Sequence, residues 1–533
     1  MMKQYILVLF AVLALTFSCV NMVWAAAEVW VDDDFTSVSA GGHIWDTDAF
    51  DTIQEGIDAV DAGGAVYVAE GTYPENVAFS SKSFSLEGAK QGIDARTRLA
   101  TEPAGESIIE GFVHLGNGTG PTIDGFTVRL GTITCYADGA HVLNNIIKDY
   151  KTGMYLRNPG NEQTVIQYNV FKNIIDVGVP GTVGDAIYSD GISYNILNDS
   201  NIFMDLDYAA IIMTGAQQEV TFSNNRIFRC KKQAVNLYNN CTSVTIMKNY
   251  IENANMDGDA DRGGIRFYST PGPVNVKYNT VVDSFSGVCF KNYDYTGDDI
   301  HINYNALFSN SNAAIDNTGT GIVDCEYNFY GDNSGPTNAG NPGGTGDAVK
   351  GDCDFDPWIG KSGTFTSGLA LSPLGTGSAT TPSGSGGSGV EVLSNSNATS
   401  SSIILIEYNE EFPQGYTGFA GGNAIDRRIE VITLFDPGEI TAVVKIYYTA
   451  QELSDSGIFS GQWLSIRKWD EGTSKWIPAG TNHQGDIPPD GILGHYGTNS
   501  SENYVWVIVD EFSEFAAGQD PTVPAELSVF SVE

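Results

Sequence analysis

One asparagine returns through the middle of this 533-residue chain, each time followed by a short apolar run. It stands at Asn145, Asn169, Asn201, Asn225, Asn249, Asn279, Asn305 and Asn328, in steps of 24, 32, 24, 24, 30, 26 and 23 residues. The surrounding phrases, such as Ile166-Gln167-Tyr168-Asn169-Val170-Phe171, are short and rich in β-formers. A period of about 20–30 residues built from such runs predicts a solenoid. One coil cannot bury its own apolar face, so it must stack on further coils. A second phrase recurs inside the units, as in Gly153-Met154-Tyr155-Leu156 and Gly264-Ile265-Arg266-Phe267. Its period-two alternation sends one set of side chains into a core and the other onto an outer face. The Asn falls at one corner of every coil, where it is expected to take left-handed backbone angles and to pass hydrogen bonds along the stack. That role is structural, so these residues are not counted as a site.

The chain opens as an export leader: Lys3, an apolar run from Ile6 to Phe17, then Ala25-Ala26-Ala27. Residues 1–27 are read as a signal peptide, which predicts a secreted, extracellular or cell-surface protein. Cys19 matches a lipoprotein cysteine poorly, because Thr16-Phe17-Ser18 precedes it. No later apolar run is long enough to serve as a transmembrane anchor. Export permits disulfides among Cys135, Cys230, Cys241, Cys289, Cys325 and Cys353. Cys230 and Cys241 flank one predicted strand, Cys325 and Cys353 flank the closing loop, and each pair is a candidate staple. Zinc is not expected, since no CxxC spacing occurs and histidines number six. A net charge of −38 excludes nucleic acid as a partner, there being no basic surface to release counterions. It also repels acidic polysaccharides unless cations intervene, and otherwise serves solubility in a salty or calcium-containing medium.

Thr52 to Val60 has helical spacing with Ile53, Ile57 and Val60 on one face. A lone amphipathic helix ahead of a solenoid is best used as a cap over the open end of its core. Together with Tyr67-Val68-Ala69-Glu70-Gly71-Thr72-Tyr73, Ile123-Asp124-Gly125-Phe126-Thr127-Val128 and Asp354-Phe355-Asp356-Pro357-Trp358, this opening resembles secreted right-handed parallel β-helix proteins of the pectate-lyase-like superfamily. The resemblance covers about residues 28–360. It implies an all-β chain whose first domain is a right-handed parallel β-helix with an N-terminal capping helix. It also implies an extracellular polysaccharide as partner. It does not choose among lyases, hydrolases, epimerases and adhesins. Residues 361–400, rich in Gly, Ser, Thr and Pro, read as a flexible linker. Residues 401–518 resume the period of two and predict a β-sandwich of five to seven strands, similar to accessory modules of bacterial surface proteins. Its Trp463, Trp469 and Trp476 could stack on sugar, though aromatic residues in strands more often fill the core. Residues 519–533 resemble the start of a further module, through which the protein would attach to a cell surface.

Chemistry is sought on the outer face. With the glycine-apolar phrase as register, the outward ladder reads Tyr155 and Arg157, Ile211 and Met213, Asn236 and Tyr238, Arg266 and Tyr268, Cys289 and Lys291, then Asp316. Tyr238, Arg266, Tyr268 and Lys291 fall in three adjacent coils, about 5 Å apart per coil. They are the catalytic candidates, with Asn236, Arg157, Tyr155 and Asp316 as substrate-binding residues. Just before this ladder, Asp257, Asp259 and Asp261 have the D-x-D-x-D spacing of a hard-cation loop, although the distal Glu of an EF-hand is absent. The next coil adds Asp294, Asp298 and Asp299. The alternatives are a calcium site and a solvated acidic turn. A calcium ion beside Arg266, Tyr268 and Lys291 would serve β-elimination on a uronic-acid sugar, by analogy with calcium-dependent polysaccharide lyases of this fold. A glycoside hydrolase would instead need a carboxylate pair, for which Asp185, Asp190 and Asp316 are candidates. The third reading is a non-catalytic glycan-binding or structural surface protein.

Overall fold

The computed structural model describes residues 26–99, 104–158, 160–175, 184–191, 193–215, 217–292, 294, 299–361, 364–371, 375–380, 388–396, 401–408, 424–433, 438–456, 458, 464–470, 473, 475–512 and 514–519. The leader through Ala25, Trp463, Asp298 and the tail beyond Gln519 lie outside the described residues. Among the described residues no helix is long and apolar enough to cross a membrane.

The repeat winds as a parallel β-helix. Its three sheets contain 14, 10 and 11 strands, each strand pairing in parallel with the equivalent strand one coil away. One coil illustrates the path: His141–Leu143 lies in the first sheet, Ile146–Tyr150 in the second, Thr152–Leu156 in the third, and Thr164–Gln167 returns to the first. Inward apolar residues from all three sheets fuse into one core. Stacked rings run through it, Phe171 on Phe203 at 4.9 Å and Phe267 on Phe290 at 4.8 Å.

The asparagines form an unbroken buried column between the first and second sheets. Each backbone N–H donates to the side-chain oxygen of the next, from Asn145 to Asn169 at 2.9 Å through Asn305 to Asn328 at 2.9 Å. The expected backbone geometry needs one correction. The left-handed residue is the one before each ladder Asn: Asn144, Tyr168, Ser200, Asn224, Lys248, Tyr278, Tyr304 and Tyr327, with φ from 53° to 60°. The chain reverses at that preceding residue, and the Asn itself turns inward to reach its neighbours.

The cap is the helix Ile53–Ala59, started by Thr52, whose hydroxyl accepts from the Glu55 N–H at 3.3 Å. Ile53 and Ile57 are buried against the first coil. A Cβ at Gly56 would stand 2.7 Å from Val31 Cγ2, so glycine is what lets the helix seat this closely.

A second body follows, with two six-stranded sheets sharing one apolar core, a β-sandwich. It holds more strands than the five to seven predicted, and the predicted linker contributes three of them: Thr364–Leu371, Gly377–Thr380 and Gly389–Asn395. Their Gly, Ser and Thr content disguises them. They become strands because the apolar runs Ser401–Tyr408 and Ile440–Tyr447 offer paired edges. Trp476 is buried and Trp469 meets it edge-on at 5.4 Å, which places that pair with the packing rather than on an open sugar face. Arg226 on the solenoid reaches Glu439 of the sandwich at 2.8 Å. The predicted Cys230–Cys241 staple is not formed: Cys230 ends a second-sheet strand, and Cys241 lies at the corner after a third-sheet strand with its thiol toward the Met213 and Gly215 carbonyls.

Near the C-terminal end of the first sheet, His301 is held between two carboxylates, Nδ1 to Asp324 at 2.6 Å and Nε2 to Asp299 at 2.7 Å. The hydrogen bond to Asp324, seconded by Asp299, raises its pKa from 6.5 against a smaller opposing effect of burial. A raised histidine contributes stability that is complete below its unfolded value and is lost as pH rises through the folded one. His301→Gln should therefore lower the thermal midpoint at about pH 5, and the difference from the parent should shrink toward zero above about pH 8. A pH-independent difference would remove the imidazolium from the account.

Candidate functional site

The outer face of the third sheet carries two columns of side chains. In one, Tyr155, Tyr188, Ile212, Asn236, Arg266, Cys289 and Asp316 are opposite one another in successive coils. In the other, Thr214, Tyr238, Tyr268 and Lys291 follow in order. The predicted register holds except in one coil. Ile211 and Met213 point into the core, and Ile212 and Thr214 take the outward places. The run Ala209-Ala210-Ile211 there blurs where the alternation starts, and a slip of one residue exchanges the faces.

In the C-terminal half of this face the charged side chains are buried. Arg266, Lys291, Asp316 and Asn236 are outward of the sheet yet only 8 %, 4 %, 6 % and 6 % exposed. Arg266 Nε donates to the Asp261 carbonyl at 2.7 Å, its Nη1 approaches Asn236 Oδ1 at 3.3 Å, and its guanidinium lies 4.6 Å over the Tyr268 ring. Burial, and then the neighbouring Arg262, pull this guanidinium below its ordinary pKa. Tyr268 stacks on Tyr238 at 4.7 Å. Lys291 meets Asp316 at 3.3 Å, and Asn312 donates to both Asp316 and Ser286. The catalytic candidates are thus neighbours, as predicted: Arg266 and Lys291 are buried and paired, while Tyr238 and Tyr268 are half-buried.

The N-terminal half is open and aromatic. His114, Tyr136, Tyr155 and Tyr188, all half-buried, follow one another with ring centroids 5.5, 5.8 and 5.9 Å apart. Arg157, with 47 % of its side chain exposed, donates from Nε to Asp190 Oδ1 at 2.6 Å and lies 5.7 Å over the Tyr155 ring. The Tyr155 hydroxyl donates to the same carboxylate oxygen. Burial first, then this hydrogen bond, raises the phenol far above its usual range, so it stays a donor. Of this set the sequence ladder contained Tyr155 and Arg157. His114, Tyr136 and Tyr188 were missed because their coils lack the glycine-apolar phrase used as register, although Val113-His114-Leu115 and Ile187-Tyr188-Ser189 show the same alternation.

In the acidic loop two of the three aspartates hold cationic side chains. Asp257 pairs with Lys232 at 3.0 Å, and Asp259 with Arg262 at 2.8 Å. The Asp261 N–H, followed by Arg262 and Lys232, holds Asp259 below the usual carboxylate range. Asp294 bridges in backbone register to Thr320, away from this loop. Among the described residues, the group whose carboxylate oxygens all lie within 4.8 Å of one another is Asp32, Asp33 and Asp34, in the first coil. Of the hydrolase carboxylates, Asp185 and Asp316 do not pair. Asp185 and Asp316 are five strands apart in the third sheet, roughly 24 Å by strand spacing, against the roughly 5–9.5 Å a glycosidase needs. Asp185 is instead a buried carboxyl, 3 % exposed, with Oδ1 lacking a hydrogen-bond partner.

Residues 131–334 match the family described as a right handed beta helix region. Comparison with curated proteins gives no match. Among solved structures, the chain is similar to the pectate lyase Pel9A, at 11 % identity over 62 % of this chain and 78 % of that one, with a TM-score of 0.31. It is similar to tailspike protein 2 of the Escherichia coli O157:H7 bacteriophage CAB120, at 12 % identity over 79 % and 66 % with a TM-score of 0.28, and to ORF18 of Geobacillus virus E2, at 12 % over 90 % and 84 % with a TM-score of 0.26. The family match and the three stacked parallel sheets agree: the chain carries a right-handed parallel β-helix.

Proposed function

We propose that this is an extracellular polysaccharide-binding β-helix whose trough is the open half of the third sheet. The observation that supports this reading is the continuous run of four half-buried rings beside the Arg157–Asp190 pair. Aromatic faces stack on the apolar faces of sugars, and an Arg–Asp pair offers donors and an acceptor to the hydroxyls between them. Tyr155→Ala and Tyr188→Ala should each weaken binding about 2–10-fold, the range a ring contact contributes, and the double variant should lose more. Affinity electrophoresis in gels containing pectate, alginate or a neutral glucan measures this. Unchanged migration of the double variant would remove the trough.

A second reading is β-elimination on a uronic-acid glycan, supported by the adjacency of Arg266, Tyr268 and Lys291 in neighbouring coils. Arg266 would neutralise the uronate carboxylate, and Lys291 or Tyr268 would accept the α-proton, with Tyr238 flanking the sugar. Arg266 and Lys291 must leave their buried pairings for this to occur. Ultraviolet absorbance of an unsaturated product, with and without chelator, separates the two readings; its absence on every uronate retires the lyase.

A further inference from the structure

The last turn of the solenoid brings two thiols together. The strand Val323–Asp324 pairs in parallel with Cys353–Asp354, Val323 opposite Cys353. Cys325 lies two residues beyond Val323 and so leaves the same face of the sheet. Its N–H donates to the Asp354 carbonyl at 2.7 Å, so the two side chains are diagonal neighbours on one face, and both thiols are free in this structure. Cys325 is fully buried, while Cys353 is half-buried and packs on the edge of the core. Among the described residues, Cys135, Cys230 and Cys241 sit among core side chains, and Cys289 lies on the outer face beside Arg266.

We propose that Cys325 and Cys353 form a disulfide that latches the C-terminal turn of the solenoid. The terminal turn is where a stacked sheet must end, and here it ends on strands of two residues, too short to hold an edge by ladder hydrogen bonds alone. The segment between the cysteines carries the closing loop, whose Tyr330 hydroxyl and Asn328 amide both donate to the Cys325 carbonyl at 2.8 Å. A bond at this point would fix both ends of that loop to the core. The oxidant is an exported disulfide donor. The accessible Cys353 sulfur, as thiolate, attacks the donor's S–S bond, releasing one donor thiolate and leaving a mixed disulfide. The Cys325 sulfur then loses its proton and displaces the second donor thiolate. The pair gives up two electrons and two protons, and the donor becomes two thiols. Burial raises the Cys325 thiol well above its ordinary pKa, which makes the second displacement the slow one and afterwards shields the bond from reductants.

The test is a peptide map of the full chain, first reduced, then equilibrated folded with oxidised glutathione and alkylated in denaturant. A linked peptide joining Cys325 to Cys353, with Cys135, Cys230, Cys241 and Cys289 alkylated, is expected. Alkylation of both Cys325 and Cys353, or linkage to other partners, overturns the proposal. As a second readout, the oxidised chain should melt about 5 °C or more above the reduced chain, and Cys353→Ser should abolish that difference. Linkage without any change in melting would overturn the latch. Neither readout depends on the glycan reading.

Discussion

Replacing Asn201 by Ala is expected to cost about 3–5 kcal/mol of stability, more than a typical single substitution. Asn201 is fully buried in the middle of the column. Its side-chain oxygen accepts from the Asn169 N–H at 2.8 Å and from Asn169 Nδ2 at 3.0 Å, and its own Nδ2 donates to the Ile166 carbonyl at 2.8 Å. Alanine would leave the Asn169 N–H without its acceptor and the Ile166 carbonyl without this donor, at about 1–3 kcal/mol each before any relaxation, while Asn169 Nδ2 would keep the Val142 and Gln167 carbonyls. The adjacent corner supplies the contrast. Lys248 has a φ of 54° and is the residue that bends, so Lys248→Asn should change stability by about 0.5 kcal/mol or less, in the favourable direction. Urea unfolding followed by β-sheet circular dichroism distinguishes the two sites. An Asn201→Ala chain as stable as its parent would mean that the column is decorative.

Asp185→Asn should do the opposite, with a gain that grows as pH rises from 3.8 to about 7. Burial, the largest cause, pushes the Asp185 carboxyl from 3.8 to about 7, against a smaller lowering by the Ala209 backbone and by Arg262. A carboxyl whose folded pKa exceeds its unfolded value takes up a proton on folding at any pH between them. Its contribution is therefore complete below 3.8 and is lost progressively as pH climbs to about 7. Above that window the fold must carry a poorly solvated charge. About three pK units at 1.36 kcal/mol each make this worth roughly 4 kcal/mol, which the neutral amide avoids. The expected result is a variant with a higher urea midpoint at pH 8 and an unchanged one below pH 4. A gain of equal size at both pH values would show that packing, not charge, is responsible. Gln233, two coils along the same edge, has its Nε2 unpartnered as well, so Asp185 lies in a stretch where polar side chains are buried without full hydrogen bonding.

How far these features could be read in advance depends on whether they are periodic. The solenoid, the capping helix and the order Asn236, Arg266, Cys289, Asp316 all follow from repetition, which the eye can count. Burial of Arg266 and Lys291 does not, because it is set by what lies over the sheet, and those covering segments do not share the period. The left-handed corner was assigned to Asn on propensity. The stack instead spends the ladder Asn amide on its neighbours and leaves the corner to the preceding residue, which is Tyr, Lys or Ser in six coils and a second Asn in two, a tertiary demand overriding a local preference. The acidic loop has the D-x-D-x-D spacing of a cation loop; Arg262, three residues on, pairs with Asp259, and Lys232, which the winding brings from the preceding coil, pairs with Asp257. The strands at Gly377–Thr380 and Gly389–Asn395 were hidden by a composition that ordinarily signals a tether.

The amide column also makes the length of this rod a matter of counting. From Asn201 to Ser200's counterpart, Asn224, the chain describes one full turn, and the same hydrogen bonds reappear at Asn225. Excising that turn would join Ser200 to Asn225 with every partner type preserved, shortening the rod by about 4.8 Å. Variation by whole windings is thus open to this architecture, whereas gaining or losing a single residue inside a strand turns its core outward.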